Sequence, residues 1–265
     1  MELSMIPLSV VIITLNAEPV LDPCLASVSF AHEILIVDAG STDKTLEIAH
    51  RHGARVVHQP WLGFGKQKHL AVTLATHDWV LCLDSDERVS EDLKRLIDQT
   101  LLAPDCMAYR FPRCNRFMGR WLRHGEGYPD YQLRLFHRNH AQWREDPIHE
   151  GVETRNAVGT LSGDLLHESA QTLEQYLAKQ NRYTTLQAQI LFEKGKNPGV
   201  WQMVFSPIVR FVKFYCLRLG FLDGVPGLIH ISLGCINSFV KYAKVREIDI
   251  NTKQSLTNDL PSLPP

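Results

Sequence analysis

The sequence predicts an α/β fold built on a mainly parallel sheet, and three observations carry that expectation. Four short runs rich in β-branched and aliphatic residues fall within the first hundred positions, helix-length segments separate them, and polar or acidic groups close three of the runs. A strand that is apolar along its whole length, rather than at alternate residues, must bury both faces. Parallel sheets covered by helices on both sides do that. The chain of 265 residues, 45% hydrophobic and 22% charged, is long and apolar enough to fill such a core.

The elements follow in order. Leu8–Thr14 (LSVVIIT) is the first strand, and a helix begins near Ala17 with Pro19 tolerated in its first turn. Ile34–Asp38 is the second strand, followed by a helix from Ser41, read as its N-cap, through Ala49. Arg55–His58 is a short third strand, with a helix over 65–75 behind it. Trp79–Asp84 (WVLCLD) is the fourth, and another helix follows Ser90. After Leu102 the pattern breaks. Residues 104–170 are rich in Arg, His, Pro and aromatics, with strand candidates at Ala108–Phe111, Gln132–His137 and Leu161–His167. Thr172 then opens a helix through a capping box with Gln175, its apolar face formed by Leu173, Tyr176, Leu177, Leu186, Ile190 and Leu191. A break at Lys194–Gly199 leads into Trp201–Val245, apolar and aromatic with scattered basic residues. The expected division is an α/β domain over 1–170 (halves 1–103 and 104–170), a helical, membrane-associating region over 171–248 and a disordered tail over 249–265.

Charge is sorted along the chain although the formal net charge is only −1, which excludes a chain-wide electrostatic case for nucleic-acid binding. Residues 1–106 carry 8 Lys/Arg against 15 Asp/Glu, a net of −7. Residues 107–145 carry 8 Arg and no Lys against 3 acids, a net of +5, and residues 194–246 carry 8 Lys/Arg against Asp223 alone, a net of +7. The six cysteines form no CxxC pair and no metal-finger spacing, which fits a reducing compartment. No stretch reaches the roughly 18–20 uninterrupted apolar residues of a spanning helix, and the N-terminus lacks the basic start of a signal peptide.

In a parallel α/β sheet, ligands bind beyond the C-terminal ends of the strands. Three strand ends here are polar: Thr14-Leu15-Asn16-Ala17-Glu18, Asp38-Ala39-Gly40-Ser41-Thr42-Asp43 and Asp84-Ser85-Asp86-Glu87. The second reads equally well as an ordinary strand-to-helix turn. The third packs three carboxylates into four residues, which repel one another unless a cation sits among them. Hard divalent ions take carboxylate oxygen and bridge it to phosphate.

The stretches LSVVIITLNAE, EILIVDAGSTDKT and WVLCLDSDE, in this order and at these spacings, resemble the family 2 glycosyltransferases. RFMGRWLRHGEGYPDYQLRLFHR, DPIHEGV and FLDGVPG…FVKYAKVRE resemble the branch containing lipopolysaccharide core β-glucosyltransferases, and the likeness runs over about residues 8–247. The resemblance implies a GT-A fold, a Rossmann-like and mainly parallel sheet flanked by helices, with a C-terminal helical extension. It implies inverting, metal-dependent transfer from a nucleotide-sugar. Carried onto this sequence, it assigns Thr14, Asn16, Glu18, Asp38 and Gly40 to the nucleotide pocket, with Asp38 on the uracil. Lys66 or Gln67 would approach the donor. Asp84-Ser85-Asp86 matches the DxD motif, with Asp84 and Ser85 near ribose and sugar, and with Asp86, Asp84 and His149 as candidate ligands of Mg²⁺ or Mn²⁺.

Inversion requires a carboxylate that takes the acceptor's proton. Asp130 stands at the family's base position, but Pro129 replaces the usual Glu, so Glu150 competes with it. His167 reads as structural. The eight arginines over 107–145 read either as contacts to a polyanionic acceptor or as partners of the acidic N-terminal half. The aromatic and basic residues of 201–245 suit an anionic membrane surface. Together these readings give transfer of a hexose, glucose first, from a UDP-sugar to inner-core lipopolysaccharide, by an enzyme peripheral on the inner face of the cytoplasmic membrane. The rivals are a transferase acting on polyprenyl phosphate or protein, a nucleotidyltransferase, and a nucleotide-binding module without turnover.

Overall fold

The computed structural model describes residues 6–144, 151–168, 172–196 and 198–258. They form two compact units. One contains Met1–Arg116 and Tyr128–Ala170, the other Phe117–Gly127 and Gln171–Pro265. The segment Phe117–Gly127 thus groups with the helical unit, although its sequence position lies inside the expected α/β domain.

The first unit follows the alternation in the sequence: β1 (Leu8–Thr14), α1 (Glu18–Ser27), β2 (Glu33–Asp38), α2 (Thr45–Arg51), β3 (Arg55–His58), α3 (Phe64–Leu74), β4 (Trp79–Asp84), β5 (Glu87–Val89), α4 (Glu91–Leu102) and β6 (Ala108–Phe117). After β7 (Arg120–Trp121), a short strand in the helical unit, come β8 (Asp130–His137), β9 (Ala141–Trp143), β10 (Val152–Thr154), β11 (Val158–Thr160) and β12 (Leu165–His167). The sheet order is β3-β2-β1-β4-β8-β6-β12-β5, with β11 beside β6. The first four strands are parallel, whereas β8 runs antiparallel to both β4 and β6. A separate hairpin pairs β9 with β10.

Because β1 is a central strand, its residues divide between two buried layers. Val10 and Ile12 pack with Leu21 and Leu25 of α1 and with Leu93 and Ile97 of α4. Val11 and Ile13 pack on the other face with Ala71 and Val72 of α3. Each such side chain contributes roughly 1.5–3 kcal/mol when fully buried, which accounts for a run with no polar alternation. The order 3-2-1-4 also fixes where a ligand can enter. The chain leaves β1 in one direction through β2 and β3, then returns to β1's other side as β4, and the connections diverge at the C-terminal ends of β1 and β4.

Several boundaries differ from the sequence reading. Helix α2 starts at Thr45, not after Ser41, because the Ser41 hydroxyl is drawn back to Asp38 while Asp43 accepts from the Thr45 backbone and hydroxyl. Strand β6 runs on to Phe117, and the expected strand over Leu161–His167 is confined to its last three residues. The helix expected after Ser90 forms as α4, and Ser90 caps it, accepting from the Leu93 N–H.

The helical unit holds α5 (Leu173–Glu193), α6 (Val200–Phe211) and α7 (Gly224–Asn258), with a π-helical turn over Val212–Leu217 and a 3₁₀ turn over Gly220–Asp223. The capping box of Thr172 and Gln175 forms. The expected apolar face of α5 is not its buried one: Leu173, Leu177 and Leu186 are exposed, while Thr184 and Ala188 are buried. Helix α7 continues past residue 248 through Asn258, so the expected tail is helical in its first part. The FLDGVPG motif has a packing reason. A Cβ on Gly220 would lie 2.3 Å from Ile231 Cδ1, and one on Gly227 would lie 2.7 Å from the Gly220 carbonyl. The buried Asp223 accepts from the His124 N–H at 2.8 Å and pairs with its ring Nδ1 at 3.0 Å.

Candidate active site

The loops after β1 and β2 are bound to each other at the C-terminal edge of the sheet. Thr14 Oγ1 donates to Asp38 Oδ2 at 2.8 Å, the Gly40 and Ser41 N–H groups donate to Asp38 Oδ1, and the Ser41 hydroxyl donates to Asp38 Oδ2. Burial pushes the Asp38 carboxyl up, but these four donors outweigh it and hold the group below its ordinary range. Gly40, at φ +106°, supplies the backbone turn that aims those amides. Asn16 accepts from the Thr42 N–H at 2.9 Å, and Glu18 accepts from the Lys44 N–H at 3.3 Å. The Asn16 and Glu18 N–H groups donate in turn to Ser41 Oγ and Asp43 Oδ2. Thr14, Asn16, Glu18, Asp38 and Gly40 therefore come together as the sequence predicts. Asp38 is nonetheless engaged on both oxygens, by Gly40 and Ser41 of its own turn and by Thr14 of β1.

After β3 the helical register decides which side chain faces the strand ends. Gln67 and Lys68 lie on the buried face of α3 with Ala71 and Val72, while Lys66 is exposed on the opposite face. Gln67 holds the loop, accepting from the Leu62 N–H and donating to the Gln59 carbonyl. The residue directed at the acidic turn is Lys68, whose Nζ lies 2.6 Å from Asp84 Oδ1. Of the two residues expected near the donor, Lys66 is exposed and Gln67 is tied to the loop, while their neighbour Lys68 meets the acidic turn.

Asp84, Ser85, Asp86 and Glu87 form the tight turn between β4 and β5. Asp84 is gripped from two sides, by Lys68 on Oδ1 and by Arg134 on Oδ2 at 2.7 Å. Burial opposes its charge, yet the two cations hold its carboxyl well below the usual range. Arg134 is itself 3% exposed. It donates also to Glu87 Oε1 at 2.9 Å and lies over the Trp143 ring with Lys68. Glu87, fully buried, accepts from the Asp84 N–H and meets Arg113 at 3.5 Å. Arg113 continues to Asp130, with Nε and NH2 both on Oδ2, while Gln132 donates to Asp130 Oδ1 at 2.8 Å. One ionic chain, Lys68–Asp84–Arg134–Glu87–Arg113–Asp130, thus links the acidic turn to the expected base. Ser85 is half-buried in this turn.

Asp86 points elsewhere. Its Oδ2 lies 3.1 Å from His167 Nε2, and its carbonyl accepts from the Glu168 N–H. His167 reaches it through sheet pairing, opposite Glu87 on β5 and Asn115 on β6. Asn115 Oδ1 accepts from the imidazole at Nδ1, 2.7 Å away. His167 Nε2 and Asp86 Oδ2 thus stand within hydrogen-bond distance, and one nitrogen and one carboxylate oxygen are donor atoms that a shared divalent ion would take. Among the described residues no cluster of three or more His, Cys, Asp or Glu could hold a metal. Two protein ligands with phosphate oxygens completing the shell are, however, the ordinary way such an ion rides on a nucleotide. The donor set fits a divalent ion at Asp86 and His167. It fits less well at Asp84, both of whose oxygens already meet cations. Glu150 and His149 lie outside the described residues.

The arginines of 107–145 mostly find partners within the chain. Arg113 and Arg134 are in the ionic chain, Arg116 and Arg88 pair with Glu168, Arg138 with Asp78 and Arg144 with Glu153. Arg120 donates to the Leu222 carbonyl and Arg110 to the Thr160 hydroxyl. This answers the charge asymmetry largely through internal pairing. The six cysteines are free thiols.

Residues 9–158 match the family model described as Glycosyl transferase family 2. The chain is 30% identical over 248 residues to the lipopolysaccharide core biosynthesis glycosyltransferase LpsC of Rhizobium meliloti, covering 91% of this chain and 92% of that one. It is also 30% identical to an uncharacterized glycosyltransferase of Rickettsia bellii, covering 92% and 87%. Among solved structures, S. aureus TarS 1-349 in complex with UDP-GlcNAc superposes with a TM-score of 0.50 at 15% identity, covering 94% of this chain and 92% of that one. The mannosyltransferase PcManGT from Pyrobaculum calidifontis, in complex with GDP-Man and Mn²⁺, gives 0.51 at 14%, covering 94% and 87%. At these identities the likeness to the two structures is one of fold.

Proposed function

The chain belongs to glycosyl transferase family 2 and has the GT-A fold, and on that premise we propose that it moves a hexose, glucose first, from a UDP-sugar to an inner-core lipopolysaccharide or related anionic glycolipid, with inversion. The observation that carries the reading is the acidic turn at the fork between β1 and β4, where Asp86 faces His167 while Asp84 is neutralised by Lys68 and Arg134. Thr14, Asn16, Glu18 and Gly40 frame the nucleotide pocket beside it. The acceptor class follows from the likeness to LpsC, a lipopolysaccharide core biosynthesis glycosyltransferase, over nearly the whole chain.

Asp86 and His167 would hold a divalent ion, Mg²⁺ or Mn²⁺, whose charge stabilises the departing diphosphate. Asp130, oriented by Arg113 and Gln132, keeps a lone pair on Oδ1 for the acceptor hydroxyl proton as that oxygen attacks the anomeric carbon opposite the leaving group. Glu150 is the alternative base.

The helical unit suits an anionic membrane surface on the cytoplasmic side. Trp201, Val209, Leu217 and Val225 are each more than 60% exposed, in a region with a net of +7. Among the described residues no single helix is long and apolar enough to cross a membrane, although Val200–Leu217 and Gly220–Gln254, bent by 74°, meet the criterion as a pair. Incubation with UDP-glucose, UDP-galactose, UDP-N-acetylglucosamine and an ADP-heptose, with Mn²⁺ or Mg²⁺, tests the reading. Metal-dependent release of nucleoside diphosphate from UDP-glucose is expected, and release from none of the four would overturn it.

A further inference from the structure

A second polar cavity, of about 240 Å³, lies wholly within the helical unit, lined by the 117–127 segment, α5, α6 and α7. Its wall is built around an ion pair. Arg210 of α6 binds Glu126 through both Nε and NH2, and its NH1 donates to Ser238 Oγ at 3.3 Å. Only glycine at 234 makes room for that pair, since a Cβ there would stand 2.4 Å from Glu126 Oε2 and 3.1 Å from Arg210 Nε. Asn237 donates to Gln180 Oε1 at 3.0 Å, an amide–amide bond that leaves the first side chain an acceptor oxygen and the second its donors.

Two features of the lining ask for a ligand. His230 Nδ1 is buried and has no hydrogen-bond partner among the described residues, although the ring is wedged between Phe117 and Tyr176. A buried polar atom left unpaired costs free energy that a bound hydroxyl would recover. Burial and the adjacent Arg210 hold this imidazole's proton affinity below its ordinary value, so at neutral pH the ring is uncharged. Lys241, the other cation, has no carboxylate partner among the described residues and lies 4.4 Å from the centre of the Tyr242 ring.

We infer that this cavity binds one sugar residue carrying a single negative group. Planar amides, a carboxylate–guanidinium pair and a neutral imidazole offer donors and acceptors in the mixed pattern that a polyhydroxylated ring presents. Tyr176 and Tyr183 of α5 add aromatic surface for its apolar face. With Glu126 neutralised by Arg210, the charge left over is Lys241, which selects a carboxylate or phosphate on the sugar. A purely anionic site would not use its Arg on an internal carboxylate. The inference deepens the proposed acceptor class, because an anionic glycolipid presents such residues. Binding at the cavity does not require that reading.

Saturation-transfer NMR and calorimetry on the full chain, with glucuronic acid, methyl glucoside, inorganic phosphate and UDP as separate probes, decide it. Glucuronic acid should bind, with or without UDP, and methyl glucoside should bind more weakly. Asn237→Leu, which replaces the wall's amide with an apolar, bulkier side chain, should abolish glucuronic acid binding while UDP binding survives. Lys241→Met, a half-buried site whose change leaves the helix packing alone, should weaken glucuronic acid about tenfold and leave methyl glucoside unchanged. Binding of phosphate but of neither sugar would overturn the saccharide assignment. Glucuronic acid binding that both variants retain, or no binding at all, would overturn the site. Failure of UDP alone would count against the proposed transferase reading and leave the cavity standing.

Discussion

Arg134→Met removes the centre of the buried ionic chain. In the wild type its NH2 group serves Asp84 at 2.7 Å and Glu87 at 2.9 Å, from a position only 3% exposed. Met fills much of the volume under Trp143 but supplies no charge. Glu87, fully buried, then keeps only Arg113 at 3.5 Å as a cationic partner, and Asp84 keeps only Lys68. Removing one partner of a buried pair costs about 3–5 kcal/mol. At about 2–4 °C per kcal/mol for a chain of this size, the melting temperature should fall by about 6–20 °C. The pH dependence has a definite sign. Burial raises the Asp84 carboxyl, but Arg134 and Lys68 depress it. In the wild type its contribution is therefore present above the unfolded value and lost as pH falls through the lower folded one. Without Arg134 the folded value climbs toward the unfolded one, so Asp84's share of the acid-induced loss shrinks and the acid limb should flatten. Thermal denaturation by circular dichroism between pH 3 and 8 reads both effects. A second substitution, Glu87→Gln, should recover part of the loss. A melting temperature within about 2 °C of wild type, with an unchanged acid limb, would refute the account of this network.

Glu33 is held down to about 2 from 4.5 because Ser9, Thr76 and Arg55 outweigh its burial, so Glu33→Gln should flatten the loss of stability as pH falls from about 4.5 toward 2. A Cβ on Gly163 would sit 2.5 Å from Leu93 Cα, so Gly163→Ala should cost about 1–3 kcal/mol by urea titration. Asp130→Asn and Glu150→Gln separate the two base candidates: the true base should lose kcat about a hundredfold or more while donor binding persists. Val209→Glu with Leu217→Glu should reduce co-sedimentation with anionic liposomes and leave neutral liposomes unaffected.

The sheet and its functional edge were legible because they rest on local signals. Continuous apolar runs fix β1, β2 and β4, and the α/β rule then directs attention to Asp84 and Asp86. Helical periodicity would also have chosen Lys68 over Lys66, since Lys68 shares a face with Ala71, Val72 and Ala75. The contact between His167 and Asp86 was not legible, for a different reason. His167 closes a three-residue strand 81 positions from Asp86, and only its pairing beside β5 and β6 brings the two together. The two readings of the arginines stayed open for the same reason: nothing local in 107–145 tells that Glu87, Glu168 and Asp78 stand opposite them. On α5 the apolar spacing was real, yet Thr184 and Ala188 face inward, because small residues let α7 approach and Lys244 reaches the Thr184 hydroxyl.

The central claim, that Asp86 and His167 together hold a divalent ion on the donor diphosphate, is tested most directly by Mn²⁺ titration followed by electron paramagnetic resonance, with and without UDP. The wild type should bind Mn²⁺ tightly only when UDP is present, and both Asp86→Ala and His167→Ala should lose that UDP-dependent binding while keeping their melting temperatures. Equal Mn²⁺–UDP binding by the wild type and both variants would contradict the account.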